Sequence, residues 1–302
     1  KWDYGESLAF DTQGNLYLAG ILYSIEVDFG GGPLLTYGST TFGDDLDDFV
    51  ASFSSSGEHR WSKRLGTAEH ENECHVVVDG QDNVTLVGAL QYEIDLGGGL
   101  LRSSASPWEI YLAGYDTAGN HRWSKIFEGD GSDVPLDAAV DASGNVYVVG
   151  RFDSTVLNFG GEDLSAPDGY RTFVVSFDAT GAHRMSTSFD LPGNVWGGGT
   201  PLAVGPGPTI YLAGAFRETV DLGGGPLVSA GGTDVLLLGL GADLAHRRSW
   251  RFGGAENDRG NAVVVHGNQL YLAGAFSDTM DAAGTLLTSA GLEDVFVVRL
   301  SP

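Results

Sequence analysis

Gly14-Asn15-Leu16-Tyr17-Leu18-Ala19-Gly20 is the stretch that decides the fold, because the chain repeats it. It returns as Asp82-Asn83-Val84-Thr85-Leu86-Val87-Gly88, then as Gly144-Asn145-Val146-Tyr147-Val148-Val149-Gly150. Two further copies are Pro208-Thr209-Ile210-Tyr211-Leu212-Ala213-Gly214 and Asn268-Gln269-Leu270-Tyr271-Leu272-Ala273-Gly274. The closing glycines lie 68, 62, 64 and 60 residues apart. Long internal periods are the mark of repeat architectures and must be found before any local reading. A second marker heads the next apolar run at Asp47, Glu109, Arg171, Asp234 and Asp294. A third, His59, His121, His183 and His246, follows twelve residues after each of the first four.

Each copy reads as strands. In the first, Leu8–Asp11, Leu16–Leu22, Phe49–Phe53 and His59–Leu65 are short β-branched or aromatic runs bounded by Gly, Asn, Asp and Ser turns. We label these strands a to d, from inside outward. Four strands per unit, apolar on both faces, suit a blade buried between two neighbours. Five units predict an all-β chain, a five-bladed β-propeller of four-stranded antiparallel blades, as a single domain over residues 1–302. A solenoid would need polar capping repeats, and the terminal units here are as apolar as the central ones. The last unit reaches Leu300 before any His-Arg-Trp-Ser run. Two readings of closure stay open: the N-terminus supplies the strand, since Lys1-Trp2 echoes Arg60-Trp61, or the last blade has three strands. An unpaired edge would be a place for strand addition by a partner.

Composition narrows the function. With 40 Asp+Glu against 16 Lys+Arg, the net charge of −24 repels a phosphate backbone and argues against nucleic acid. No run of about 18 apolar residues occurs, so no membrane insertion is expected. One cysteine, Cys74, excludes a disulfide framework and a CxxC zinc site. Three lysines against thirteen arginines suggest a GC-rich bacterial genome, and a start at Lys1 suggests a processed, exported product.

GNVYVVG at 144–150, VDLGGGPL at 220–227, SAGGTDV at 229–235 and AHRRSW at 245–250, with HRWSK at 59–63, resemble the SBBP-type bacterial β-propeller repeats. The resemblance covers all five units. It implies a propeller in an extracellular or cell-surface setting and supplies no catalytic residues.

The long b–c and d–a loops share one face, where function is expected. The first unit carries about six extra residues around Thr41–Asp48, and the fourth d–a loop has an extra pair in Gly193–Gly199, around Trp196. The d–a loops are acid-rich (Asp3, Glu6; Glu69, Glu71, Glu73; Asp130, Asp133; Glu256, Asp258) and read as a solvated rim. At the heads of strand a, His75 and Asp137 fall in adjacent blades. The predicted recognition site is Trp196 flanked by Trp2, Tyr4, His75 and Asp137. There an aromatic stacks on a sugar or anchors a protein partner while the carboxylate accepts hydroxyl hydrogen bonds. The four histidines read as repeat signature on separate blades, and Trp61, Trp123 and Trp250 as inter-blade core. Asp28, Asp95, Asn158, Asp221 and Asp281 read as caps of the glycine turns. Cys74 and His75 point to opposite faces, which disfavours a Cys–His nucleophile, and no GxSxG, Walker A or HExxH motif occurs. Glu128–Asp133 is a fragment of a calcium loop without its terminal Glu, a weak signal for calcium. No cofactor, metal or catalytic residue is therefore expected. The alternatives are a structural subunit of a surface assembly, or a glycoside-active enzyme using Asp137.

Overall fold

The computed structural model describes residues 2–36, 46–67, 69–103, 108–191 and 200–301. They form β-strands and turns throughout. The first sheet takes Tyr4–Phe10, Leu16–Leu22, Asp47–Phe53 and His59–Leu65 in that order, each antiparallel to the last. The second holds Glu71–Val78, Val84–Leu90, Glu109–Tyr115 and His121–Phe127, and the third Asp133–Val140, Val146–Phe152, Arg171–Phe177 and His183–Phe189. The fourth holds Leu202–Val204, Ile210–Phe216, Asp234–Leu240 and His246–Phe252. Strands a to d thus follow the repeat. The fifth sheet has three strands, Arg259–His266, Gln269–Phe276 and Asp294–Leu300. Among the described residues no strand d completes it, and Trp2 and Asp3 lie outside any strand.

The b–c segments hold more structure than the loops expected of them. Glu26–Asp28 pairs with Pro33–Leu35, Glu93–Asp95 with Leu100–Arg102, Thr219–Asp221 with Pro226–Val228, and Thr279–Ala282 with Thr285–Thr288. The capping role read for the aspartates is present: Asp28 Oδ1 accepts the N–H groups of Gly30 at 2.7 Å and Gly32 at 3.0 Å. The repeated histidines lie beneath these turns. A side chain on Gly31, Gly98, Gly161 or Gly224 would overlap the ring of His59, His121, His183 or His246 respectively. His59, His183 and His246 each meet a serine hydroxyl three residues on, at 3.1 to 3.2 Å. Glycine pair and histidine are therefore one packing device.

The chain falls into two compact units, Lys1–Gly169 with Val175–Ser186, and Tyr170–Val174 with Thr187–Pro302. In the first, Tyr17, Val50, Leu65, Cys74, Val76, Leu86 and Tyr111 share a core between the first two sheets. In the second, Tyr211, Val235, Leu237, Phe252, Leu270, Leu272 and Phe296 do the same between the fourth and fifth.

The tryptophans depart from expectation. Trp61, Trp123 and Trp250 are half-buried, Trp61 and Trp250 packing against the margins of the two cores rather than lying within them. Trp61 closes the rim against the next sheet's c–d turn, its Nε1 donating to the Thr117 carbonyl at 2.9 Å with Gly119 against its ring. Trp250 is also out of register. Trp61 faces Ser52 and Trp123 faces Gly114, but the equivalent Gly239 faces Arg248. Trp250 faces Leu237, the place of Lys63 and Lys125.

Candidate functional site

The heads of strand a in the first unit carry the densest chemistry. Three of these strands shift register there, between Gly5 and Ser7, between Asn72 and His75, and between Pro135 and Asp137. A bulge re-aims the side chains beside it. In the second sheet it puts Glu73 at φ 59°, a left-handed conformation uncommon for a residue with a side chain.

The bulges bring His75 and Asp137 together, as the spacing predicts. His75 Nδ1 is 3.9 Å from Asp137 Oδ1, and Nε2 is 4.0 Å from Glu73 Oε2. His75 is 8 % exposed, and burial pushes its pKa down to about 4, so the ring is neutral at neutral pH. Asp137 Oδ1 also accepts the Ala138 N–H at 2.8 Å. Cys74 faces other neighbours. Its Sγ meets the Tyr111 hydroxyl at 3.4 Å, and burial pushes the thiol well up. The same hydroxyl donates to Asp48 Oδ2 at 2.6 Å, and burial raises that carboxyl too. This leaves Cys74 an inert packing group.

The acidic residues form the expected solvated rim only in part: Asp3, Glu6, Asp130 and Glu256 are exposed. Glu71, Asp133 and Asp258 are fully buried. Burial, then the Asp48 and Asp47 charges, push Glu71 up to about 11. Burial carries Glu109 to about 8 and Asp133 to about 6, the latter although it accepts the Ser154 hydroxyl at 2.6 Å. Part of Glu6 stays exposed, but its carboxyl end lies against the Cys74 N–H at 2.9 Å; burial and the Glu73 charge bring it to about 7. Asp3 remains on the surface, accepting the Tyr23 and Ser24 N–H groups at 2.9 and 2.8 Å.

Trp2 is 79 % and Tyr4 52 % exposed, Tyr4 meeting Tyr23 edge to face at 5.7 Å. Trp196, its loop at 192–199, and residues 41–45 of the first unit's insertion lie outside the described residues. Among the described residues no three His, Cys, Asp or Glu side chains are arranged to hold a metal ion. Sequence reasoning missed Tyr111, and read Asp48 only as part of an insertion and Glu71 only as part of a solvated rim. The available signal was acid recurring at the first position of strand a, Glu71 and Asp133.

No protein-family model matches the chain. Regulatory protein FlaEY of Caulobacter vibrioides is 22 % identical over 305 residues, 95 % of this chain and 31 % of that protein. An uncharacterized WD repeat-containing protein of Acanthamoeba polyphaga mimivirus is 22 % identical over 162 residues, 51 % of this chain and 12 % of that protein. The chain spans less than a third of the curated relatives it matches. Among solved structures, a Synechocystis apocarotenoid oxygenase variant matches with TM-score 0.43 and 9 % identity, over 87 % of this chain and 52 % of that one. A GH43 β-1,3-galactosidase gives 0.37 and 11 %, over 91 % and 57 %. Domains 1–2 of Drosophila semaphorin 1b give 0.34 and 9 %, over 99 % and 78 %. The chain itself is a repeat protein of all-β type, built from four-stranded antiparallel sheets.

Proposed function

We propose that this chain is a non-catalytic recognition module, a five-bladed propeller in an exported or cell-surface bacterial protein. Its ligand is a glycan or a protein surface, met at the strand-a heads. The observation that carries the reading is the exposure of Trp2 and Tyr4 beside carboxylates already engaged by the fold. Exposed aromatics of this kind stack on sugar C–H faces and anchor interfaces. A hydrolase of the two-carboxylate type needs a proton-holding acid and a charged partner, both within reach of substrate. Here the raised carboxyls of Glu71 and Glu109 are buried in the scaffold, and that of Glu6 is engaged by the Cys74 N–H, which supports a binding role. The partial likeness to a regulatory protein fits a module that acts by binding within a longer chain.

A glycan array run beside a hydrolysis screen on polysaccharides and aryl glycosides tests this. Binding lost in Trp2→Ala at unchanged melting temperature is the expected result. Hydrolysis abolished by Asp137→Asn would replace the proposal with an enzyme.

A further inference from the structure

The junction between the first two sheets is filled less completely than the next one. Strand d ends on Leu65 in the first sheet but on Phe127, Phe189 and Phe252 in the next three. At the second junction Phe127 meets Phe159, from the b–c segment of the third sheet, with ring centroids 5.2 Å apart. The residue equivalent to Phe159 at the first junction is Leu96, which follows Asp95 as Phe159 follows Asn158. Two leucines thus stand where two phenylalanines meet, and they line a cavity of about 590 Å³. Lys63 of strand d lines it too, and Glu93, Asp95 and Leu100 of the second sheet's small hairpin form the facing wall. The volume lies within the roughly 300–1,000 Å³ of small-molecule sites.

The hairpin wall is fixed in place. The Thr67 hydroxyl donates to the Glu93 carbonyl at 3.1 Å, and the Tyr115 hydroxyl to the Leu96 carbonyl at 2.7 Å. Asp95 Oδ1 accepts the Gly97 and Gly99 N–H groups at 2.8 and 3.3 Å, and Glu93 Oε2 accepts Arg102 Nε at 2.9 Å. Among the described residues the other oxygen of each carboxylate takes no hydrogen bond. Arg64 is engaged by Asp47 Oδ1 at 2.8 Å and the Gly66 carbonyl at 3.3 Å. Lys63 differs. It is half-buried, on the face of strand d that Trp61 and Leu65 turn to the core shared with the second sheet. Its repeat equivalent, Lys125, donates to the Gly181 carbonyl at 2.5 Å. Lys63 itself has neither an acceptor nor a carboxylate partner among the described residues. A half-buried ammonium without a partner is costly, and an anionic group entering the cavity supplies one.

We propose that this cavity binds one acidic sugar residue, a uronic acid. Its carboxylate meets the Lys63 ammonium, and its hydroxyls donate to the open oxygens of Glu93 and Asp95. Its C–H edge lies on Leu100, which is 40 % exposed. The charges select this class. Lys63 offsets the single charge of a carboxylate, whereas Glu93 and Asp95 and the net charge of −24 oppose a doubly charged phosphate. On the facing wall the Arg102 guanidinium and the turn N–H groups already offset the two carboxylates, which leaves lone pairs for neutral hydroxyl donors rather than a demand for an ammonium. That separates a sugar acid from an amino acid. Among the described residues Trp2, Tyr4, His75 and Asp137 do not line the cavity, so this site and the strand-a heads stand or fall separately.

The probes are the methyl glycosides of glucuronic and galacturonic acid, each titrated onto the full chain beside its neutral hexose counterpart. Saturable binding of at least one uronide is expected, at least tenfold tighter than that of its neutral partner. Lys63→Gln should remove the preference, and Lys63→Arg should keep most of it. Leu65→Phe, which installs the phenylalanine of the other repeats, should block the uronide; the Lys63→Gln comparison remains readable if that variant does not fold. Trp2→Ala should leave uronide binding unchanged. Equal binding of the neutral glycosides, indifference to Lys63→Gln, or no binding at millimolar uronide would overturn the proposal. Equal or tighter binding of free leucine would replace the sugar with an amino acid and overturn it too. Uronide binding lost in Trp2→Ala but kept in Lys63→Gln would move the ligand to the strand-a heads and remove this site.

Discussion

In the first three sheets the turn aspartates and the carboxyls at the strand-a heads are treated in opposite ways. At the a–b and c–d turns, Asp11, Asp116, Asp141 and Asp178 each accept backbone N–H groups two and four residues on. Partial burial works against their ionisation, but the donors win. The Asn15 side chain and the Asn15 and Gln13 N–H groups hold Asp11 below the ordinary range, and Asn145 and Ser143 do so for Asp141. At the other end burial prevails, and Glu71, Glu109 and Asp133 are pushed up. One repeat thus makes the same functional group a charged turn clamp at one end and a proton-holding core group at the other. The supply of donors decides which.

The sign of the pH dependence follows. A depressed carboxyl contributes stability above its unfolded pKa and loses it as pH falls through the folded value. A raised one costs stability as pH climbs from the unfolded value toward the folded one. Glu71 gives the largest effect. Its pKa rises from 4.5 to about 11 on folding, so at pH 7 keeping it protonated costs about 3 kcal/mol. Glu71→Gln should therefore stabilise the protein by about that amount at pH 7 and by almost nothing at pH 4.5, read by urea unfolding at the two pH values. Destabilisation at pH 7 would mean that Glu71 is charged and paired, and the contrast between the ends would fail.

Asp141→Ala tests the turn end and should go the other way. It removes four hydrogen bonds, from the Ser143 and Asn145 N–H groups and Asn145 Nδ2, all within 2.9 Å, and from the Tyr147 hydroxyl at 3.2 Å. A loss of about 1–2 kcal/mol is expected at pH 7, fading in acid as the wild-type carboxyl is protonated. Asp116→Ala, at a more exposed turn, should lose less.

This contrast also marks what the sequence made legible. Gly-Asn before Leu16 and Val146 announces a turn and then a strand, so strands and turn aspartates are readable from spacing. The register of Trp250 was not, because a tryptophan two residues along the same strand points to the same face. The small hairpins escaped because strands of three residues flanking glycines lack a measurable alternation. The His75–Asp137 approach was legible from equivalent positions. The raised pKa of Glu71 was not, since it draws, beyond burial, on the Asp48 and Asp47 charges of another sheet.

The smallest effect at neutral pH belongs to His75, and it asks whether burial or charge rules the strand-a heads. Two carboxyls, of Asp137 and Glu73, lie within 4.0 Å of its ring nitrogens, and charged carboxylates at that range would raise its pKa. Burial instead lowers it from 6.5 to about 4. Between those values the unfolded chain binds a proton that the folded ring refuses, so stability falls as pH drops from about 6.5 toward 4. At pH 5 that loss is about 2 kcal/mol. His75→Gln should change stability by less than about 0.5 kcal/mol at pH 7.5, where both states hold the ring neutral. At pH 5 the variant should be the more stable protein, because it has no proton to refuse. If His75→Gln is instead the less stable at pH 5, the ring is an imidazolium held between Asp137 and Glu73. The strand heads would then be governed by charge pairing, as the turn end is governed by its donors.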